Sequence, residues 1–470
     1  MYSINTRGSQ GLNLSAQLAM ARDALLSHQN SLNTISHNVA NVDTLGYHRQ
    51  RTVLGARAGL PGINGTYGQG VEVLGIQRAQ VEYISRQERS DSSLVGRWTG
   101  QRDSMRRVEE TLNELGDYGI GTALDNFWNS WEDLANDADN ASARTAVITA
   151  AKDLGYSMAT TYSSMDSQRE QINTEMMSQA GSINLYAARI ANLNEQIADL
   201  VASGQVPNDL LDARELLLKD LSSLVNIHVE YEGTGAANVY IGSEEIVHRD
   251  SYRELAWQGV GDGSLGKNGG NFVWSDNGNE VSISSGYIYG MLQTRDEIGD
   301  ILAELDTLAD AVRSTVNAAH IEGIGHDGTT GNVFFRDDVT GARSLEVDEE
   351  ILENVDKVAA SRLSATGAND LAHDMYELQF ANPWGDSRTI NSRYATMVSD
   401  IGTVVQNADL RYETSEAALQ QTENLQQEYT GVNLDEEMSA MINTQYAYNA
   451  ASKVFNTVEE MMDRVVNGLT

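Results

Sequence analysis

Residues 434–469 read LDEEMSAMINTQYAYNAASKVFNTVEEMMDRVVNGL, and the spacing of their apolar residues decides how the rest of the chain is interpreted. Taken in alternating steps of four and three, eight of eleven positions are apolar: Leu434, Met438, Met441, Gln445, Tyr448, Ser452, Phe455, Glu459, Met462, Val466 and Leu469. This pattern predicts a helix about 54 Å long. Its stripe is narrower than the face of a globular helix and fits a coiled coil. A terminal helix packed only on its own domain is the alternative.

The other end of the chain repeats the pattern. Eight of nine positions at the same spacing are apolar: Leu14, Leu18, Ala21, Leu25, His28, Leu32, Ile35, Val39 and Val42. The run stops in residues 41–46, where Asn, Asp and Gly favour a turn. We therefore expect the two terminal helices to form a coiled coil with each other and with neighbouring chains.

The middle of the chain predicts a second layer of long helices. Heptad-like spacing recurs in four segments far apart in sequence: 94–115, 140–203, 298–316 and 394–408. Only 3 prolines occur in 470 residues, so little interrupts these helices. Several long amphipathic helices from distant segments indicate a helical bundle.

The sequence pattern changes in residues 227–286, where short runs of alternating apolar and polar residues are separated by glycines. Asn-Gly pairs at 268–269 and 277–278 between such runs are strong hairpin signals. A second glycine-rich and irregular stretch spans 323–387. These features predict a small β-rich region inserted into the helical chain.

The predicted fold is therefore mainly α with an inserted β region. Residues 1–45 plus 430–470 are expected to form a terminal coiled-coil domain. Residues 80–226, 287–322 and 388–429 are expected to form the bundle domain. Residues 227–286 form the β-rich domain, and whether 323–387 belong to it stays open.

Composition excludes several classes of function. The chain carries 32 Lys and Arg against 67 Asp and Glu, a net charge of −35, which disfavours binding to nucleic acid. There is no cysteine, so disulfides, cysteine nucleophiles and thiolate metal sites are excluded. We expect no membrane span, since no run approaches 18 apolar residues, and no cleaved signal peptide.

No arrangement of residues predicts catalysis, a cofactor or a metal site. Residues 261–268 resemble a phosphate-binding loop, but Asn268 stands where a magnesium-binding hydroxyl is required. Ser264 and Lys267 match a serine–lysine pattern only at chance level. His320 and His326 flank a glycine turn without a third clustered ligand. We therefore predict a protein that is not an enzyme.

Two terminal segments carry a family resemblance. Residues 29–47 resemble the signature of the bacterial flagellar rod–hook axial proteins, an amphipathic helix ending in an Asn-x-x-Asn-x-x-Thr-x-Gly-Tyr turn. The matching residues are Asn38, Asn41, Thr44, Gly46 and Tyr47. Residues 431–463 look like the partner helix of the same family. Leu45 stands where many relatives have proline, which a turn tolerates.

Segments from the interior of the chain resemble one branch of that family, the hook-associated proteins of the hook–filament junction. The similar segments are 124–131 through Arg144, 207–214, 292–296, 317–320 and 328–335. The chain is short in its variable outer region. Within the family, a hook or distal rod protein is the alternative. From other classes, a cell-wall-cutting enzyme and a cytoplasmic coiled-coil scaffold stay open.

The resemblance implies a structural subunit in the extracellular flagellum. It implies a ring-like helical assembly of copies, contacts with hook protein and a second junction protein, and an export chaperone on the C-terminal helix. Nucleic acid and membrane are not expected partners. The assembly residues it implies at the N-terminus are Leu18, Leu25, Leu32, Ile35, Asn38, Asn41, Thr44, Gly46 and Tyr47. Those at the C-terminus are Leu434, Met438, Met441, Tyr448, Phe455 and Met462.

Overall fold

The computed structural model describes residues 11–62, 65–112, 119–259, 270–363 and 367–467. Within them the α-helices are α1 (Gly11–Ala40), α2 (Glu82–Leu112), α3 (Ile120–Asn136), α4 (Ala141–Ala202), α5 (Asn208–Leu224), α6 (Tyr287–His320), α7 (Glu349–Glu353), α8 (Asp370–Glu377), α9 (Ile390–Thr430) and α10 (Leu434–Asn467). The strands are β1 (Gln50–Ala56), β2 (Leu60–Gly62), β3 (Gly65–Tyr67), β4 (Val71–Arg78), β5 (His228–Tyr231), β6 (Ala237–Ile241), β7 (Glu244–His248), β8 (Ser251–Tyr252), β9 (Leu255–Gln258), β10 (Asn271–Trp274), β11 (Ile324–Gly325) and β12 (Ala359–Ser361). The predicted fold class, mainly α with an inserted β region, is confirmed.

Helix α4 is the longest element, with 62 residues, and spans about 93 Å. It begins where the side chain of Asn140 accepts a hydrogen bond from the backbone N–H of Ser142 at 2.8 Å, an N-cap. It ends before Gly204, which has a φ of +80°. The helix predicted over 140–203 therefore matches the observed one.

Helices α2, α5 and α6 pack on α4, helix α9 packs on α2 and α6, and glycines allow the closest approaches. A Cβ atom on Gly96 of α2 would lie 1.9 Å from the carbonyl oxygen of Ser223 in α5. A Cβ atom on Gly290 of α6 would lie 2.0 Å from the carbonyl oxygen of Arg97 in α2. Only glycine fits at these crossings.

The inserted sheet packs on the C-terminal half of α4. Strands β5 to β8 form an antiparallel sheet in chain order, and β9 pairs with β10. The side chain of Asn184 in α4 bonds the backbone of Leu255 in both directions, at 2.9 and 2.8 Å. The predicted turn at Asn277-Gly278 is observed, with the N–H of Gly278 donating to Trp274 O at 2.8 Å. Residues 268–269 lie outside the described part of the chain.

A hairpin that the sequence did not predict lies between α1 and α2. Strand β1 pairs antiparallel with β4, and β2 with β3. The hairpin packs on α1, where the hydroxyls of Thr34 and Thr52 lie 3.1 Å apart. Gln50 is the one fully buried residue of β1, so the strand lacks the apolar alternation that marks a half-buried strand.

The glycine-rich stretch 323–387 folds into short elements, including α7, α8, β11 and β12, around two aromatic residues. Phe334 and Phe335 are fully buried and contact Phe127 of α3, with ring centroids 6.1 and 5.8 Å away. This stretch therefore shares its core with the helical bundle. None of the helices in the described ranges is both long and apolar enough to span a bilayer.

Candidate functional site

The first and last helices of the described chain, α1 and α10, pack against each other as an antiparallel pair. The predicted apolar positions of α1 lie on or near this contact. Ile35 is buried, and Leu18, Leu25 and Leu32 are half-buried. The sequence did not single out Ser27 and Thr34, which are buried on the same helix.

The predicted positions of α10 divide between two faces. Met441, Tyr448, Phe455 and Met462 are half-buried. Leu434 and Met438 are instead 46% and 48% exposed. The heptad count followed the large side chains, whereas several packed positions of α10 carry small ones: Ala440, Thr444, Ala447 and Ala451.

A row of exposed apolar residues runs along the N-terminal half of α10 at intervals of four. We call it the outer ridge, and its members are Leu434, Met438, Ile442 and Tyr446, exposed by 46, 48, 49 and 71%. Single exposed apolar residues are ordinary on a protein surface. Four in one row of a helix instead indicate a face that another molecule covers.

Asn38 is buried at the centre of the site, where it joins four parts of the chain. Its Nδ2 donates to the carbonyl oxygen of Gln50 at 2.9 Å and to Oε2 of Glu437 at 3.0 Å. Its Oδ1 accepts from the N–H of Gln50 at 2.9 Å and from the hydroxyl of Tyr47 at 2.8 Å. One amide therefore connects α1, the turn after it, β1 and α10.

The turn after α1 explains the other residues of the motif. The Thr44 hydroxyl donates to Asn41 Oδ1 at 3.2 Å, and the Tyr47 N–H donates to Thr44 O at 3.2 Å. Gly46 has a φ of +76°, a conformation that favours glycine. Burial, followed by the charge of Asp209, raises the pKa of the Tyr47 hydroxyl, so Tyr47 stays a donor to Asn38.

Arg49 neutralises the acidic start of α10. Its Nε lies 2.6 Å from Oε1 of Glu437, which is buried, and its NH1 lies 2.6 Å from Oε2 of Glu436. Its backbone N–H donates to Thr430 O, the last residue of α9, at 2.8 Å. A buried carboxylate is tolerated only with such partners, so Arg49 and Asn38 together allow Glu437 to lie inside.

A second buried cluster joins this site to the helical bundle through α5. Asp212 accepts from the backbone N–H of His48 at 3.0 Å and from Arg78 NH1 at 2.7 Å, and lies 2.8 Å from His48 Nδ1. Asp209 Oδ1 accepts from Gln50 Nε2 at 2.7 Å. The family-like segment 207–214 thus supplies the polar groups that hold the hairpin after α1 to the bundle.

The sequence missed several residues of both clusters: Arg49, Gln50, Arg78, Glu436 and Glu437, together with the role of His48. Their partners lie far away in the chain, and helical periodicity carries no information on such pairs. The one available signal was Glu437, an acidic residue four positions before the predicted apolar position Met441.

The described residues offer no group of His, Asp and Glu side chains that could hold a metal ion. His320 belongs to the core, where its ring contacts Phe334 and Trp131. Burial lowers its pKa to about 4. Its Nε2 accepts from Ala359 N at 3.0 Å, so the ring is neutral with its proton on Nδ1. The loop-like residues 261–268, with Ser264 and Lys267, lie outside the described residues.

The chain is similar to known flagellar proteins. Residues 105–335 match the family model of the flagellar hook-associated protein FlgK helical domain. Residues 424–469 match the model of the flagellar basal body rod FlgEFG protein C-terminal region. The predicted resemblance to the rod–hook proteins and their hook-associated branch is confirmed.

Individual relatives match over nearly the whole chain. It is 28% identical to flagellar hook-associated protein 1 of Bacillus subtilis (strain 168), over 96% of this chain and 98% of that protein. It is 25% identical to the protein of the same name in Salmonella typhimurium, over 97% and 100%. The solved flagellar hook junction protein FlgK of Burkholderia pseudomallei shares the fold, with a TM-score of 0.61 at 15% identity, over 74% of this chain and 100% of that one.

Proposed function

We propose that this chain, a relative of flagellar hook-associated protein 1 along nearly its whole length, is a structural subunit of the bacterial flagellum that joins the hook to the filament. The observation that carries the proposal is a combination within one chain. Residues 105–335 match a FlgK helical domain, and the same chain has a pair of terminal helices joined by the Asn38–Glu437 hydrogen bond.

We propose a separate role in the assembly for each part of the chain. Residues 1–45 with 430–470 serve as the inner domain, through which copies contact each other in a ring-like helical assembly. The bundle of 80–226, 287–322 and 388–429 forms the middle layer, and the β-rich region of 227–286 faces outward. The buried His48–Asp212–Arg78 cluster supports this division, because it anchors the hairpin that follows the N-terminal part of the inner domain to α5 of the bundle.

The assembly residues follow the two faces of the terminal pair. The turn residues Asn41, Thr44, Gly46 and Tyr47 fix the entry of the chain into β1. The half-buried Met441, Tyr448, Phe455 and Met462 hold α10 on α1. Leu434 and Met438, which are exposed, are available to neighbouring subunits.

The partners we propose are further copies of the chain, hook protein below, and a second junction protein above. An export chaperone is proposed to cover α10 before assembly, since a helix with an exposed apolar row is prone to aggregate alone. The site of action is the extracellular flagellum, and no catalytic role is proposed.

A hook or distal rod protein is the runner-up within the family. The match of 424–469 to a rod-protein model is compatible with it. The match of 105–335 to the FlgK helical domain favours the junction role, because it covers most of the bundle.

Deleting the gene from its own bacterium tests the proposal. Electron microscopy of the deletion strain is expected to show hooks of normal length without filaments, with filament subunits in the medium. Restoring the gene should restore filaments. Absence of the hooks themselves would contradict the junction role and favour the hook or rod alternative.

A further inference from the structure

We propose that copies of this chain join head to tail, with the outer ridge of one copy packed into an apolar groove of the next. The inference rests on the proposed function, since it describes the contact through which the junction assembles. It commits to a second copy of the same chain as the occupant of the groove.

The groove lies between α1, α10 and the start of β4, and encloses about 410 Å³. Its lining is apolar apart from one glutamine: Gln17, Met20, Ala21, Ala24, Gly70, Val71, Ala451, Val454 and Val458. Many of these side chains are small, so another helix can approach closely.

The outer ridge has the shape that such a groove accepts. Leu434, Met438, Ile442 and Tyr446 are successive members of an i, i+4 row, with a rise of about 6 Å between neighbours. Rows at this spacing are the ridges that pack into grooves when helices cross in globular proteins. The groove covers residues 451–458 of α10, about 10 Å of helix, which accommodates two successive members of the row.

The ridge and the groove cannot meet within one chain. The ridge lies on the N-terminal half of α10, and the groove is built on its C-terminal half. They share no residue, so each copy offers both surfaces at once. A contact between different surfaces of identical copies is heterologous, and it produces rings or helices rather than closed pairs.

Charge favours the same arrangement. The ridge begins in the acidic first turn of α10, where Asp435 is exposed. Beside the groove lies Lys453, which is exposed, whereas the nearby Arg57 already pairs with Asp23 at 2.6 Å and Glu72 at 3.6 Å in its own chain. An incoming acidic turn therefore meets positive charge on a subunit with a net charge of −35.

Cysteine trapping tests the contact, because the natural chain contains no cysteine. The variant Ile442→Cys/Ala24→Cys places one thiol on the ridge and one in the groove. Hooks are isolated from cells that make the variant and are oxidised with copper phenanthroline. Immunoblots under non-reducing conditions are expected to show a ladder of dimers, trimers and larger species. A disulfide needs Cα atoms within about 7 Å, which makes the readout specific.

Matched variants separate the outcomes. Neither single variant should form more than traces of dimer, and Asn443→Cys/Ala24→Cys, with an exposed residue next to the ridge, should form no ladder. The pair Tyr446→Cys/Ala451→Cys repeats the test should the first pair fail to assemble.

A dimer from Ile442→Cys alone would mean ridge-to-ridge packing and overturn the inference. Hooks that contain the chain without any ladder would also overturn it while leaving the junction role intact. Absence of the natural chain from isolated hooks would instead defeat the junction role itself.

Discussion

The side chain of Asn38 in α1 donates a hydrogen bond of 3.0 Å to the carboxylate of Glu437 in α10, 399 positions later in the chain. Both residues are almost fully buried. This one contact joins the two ends of the described chain, and the same amide fixes the turn and the hairpin that follow α1. The pairing of the terminal helices therefore depends on a polar interaction as well as on an apolar stripe.

Replacing Asn38 with Ala is expected to loosen the terminal pair. The substitution leaves the backbone of Gln50 and the Glu437 carboxylate with unmet hydrogen bonds, at about 1–3 kcal/mol for each buried group. Hydrogen exchange should accelerate in α1 and α10 and stay unchanged in α4. Asn33→Ala, at an exposed position of the same helix, is the control. Unaltered exchange in α10 of the Asn38 variant would show that the amide does not hold the pair.

Helix α10 is expected to be the least protected long helix of the free monomer. Only Glu437 and Val458 are buried along its 34 described residues, whereas α4 buries a residue in nearly every turn. Hydrogen exchange of dilute monomer should show fast exchange in α10 and slow exchange in α4. Assembly on hooks should slow the exchange of α10. Equal protection of the two helices in monomer would contradict this expectation.

The sequence predicted the long helices well because each repeats its burial pattern over many turns. The helix expected over 140–203 is observed as Ala141–Ala202, since one N-cap and one glycine fix its ends. The β1–β4 hairpin could not be predicted, because its strands bury few apolar side chains. The Asn38–Glu437 and His48–Asp212 pairs could not be predicted either, since each depends on the folded arrangement of distant segments. The two faces of α10 became distinct only once the position of α1 was known.

Stability is expected to fall in mild acid because of His320. Burial lowers its pKa from 6.5 to about 4. Between these pH values the unfolded chain therefore binds a proton at His320 and the folded chain does not. This residue does not lower the free energy of unfolding above pH 6.5. As the pH falls from 6.5 to 4, it lowers that free energy by about 3 kcal/mol. Urea unfolding of the natural chain and of His320→Gln across this range should show a smaller pH dependence in the variant. An NMR titration of the His320 ring with a midpoint near 6.5 would refute the argument.

Glu297 is expected to oppose stability at alkaline pH. Burial is the main cause that raises its pKa to about 7, and one carboxylate oxygen, Oε2, is buried without a hydrogen-bond partner. Between pH 4.5 and 7 the folded chain keeps a proton that the unfolded chain has lost, so the free energy of unfolding falls by about 3 kcal/mol as the pH rises across this range. Glu297→Gln should raise the melting temperature at pH 8 and leave it nearly unchanged at pH 5. An equal effect at both pH values would show that the charge is not the cause.

The glycine crossings of the bundle give a matched pair of substitutions. Gly290→Ala would place a Cβ atom 2.0 Å from Arg97 O, so the α2 and α6 backbones must separate. We expect a loss of about 2–3 kcal/mol, well above the gain of about 1 kcal/mol from helix propensity. Gly181→Ala in α4 meets nothing within 4 Å and should instead stabilise by up to about 1 kcal/mol. Urea unfolding of both variants checks the signs, and a neutral Gly290 variant would mean that the helices can move apart.

Two aspartate substitutions on α10 should separate the faces of that helix. Phe455→Asp puts a charge into the half-buried face of α10, whereas Met438→Asp puts one on the exposed outer ridge. Burying an unpaired charge costs several kcal/mol, so Phe455→Asp should already loosen α10 in the monomer. Met438→Asp should leave exchange in the monomer unchanged, because its side chain stays in water until a neighbour covers it.

In both variants the thermal unfolding of the bundle should be preserved, and the secreted protein should fail to attach to hooks. Comparing the secreted with the hook-bound fraction separates this outcome from a lost chaperone contact, which would keep the variant inside the cell. Normal filaments on the Phe455→Asp strain would show that the half-buried face of α10 is dispensable for assembly. Normal filaments on the Met438→Asp strain would remove the outer ridge from the assembly surface.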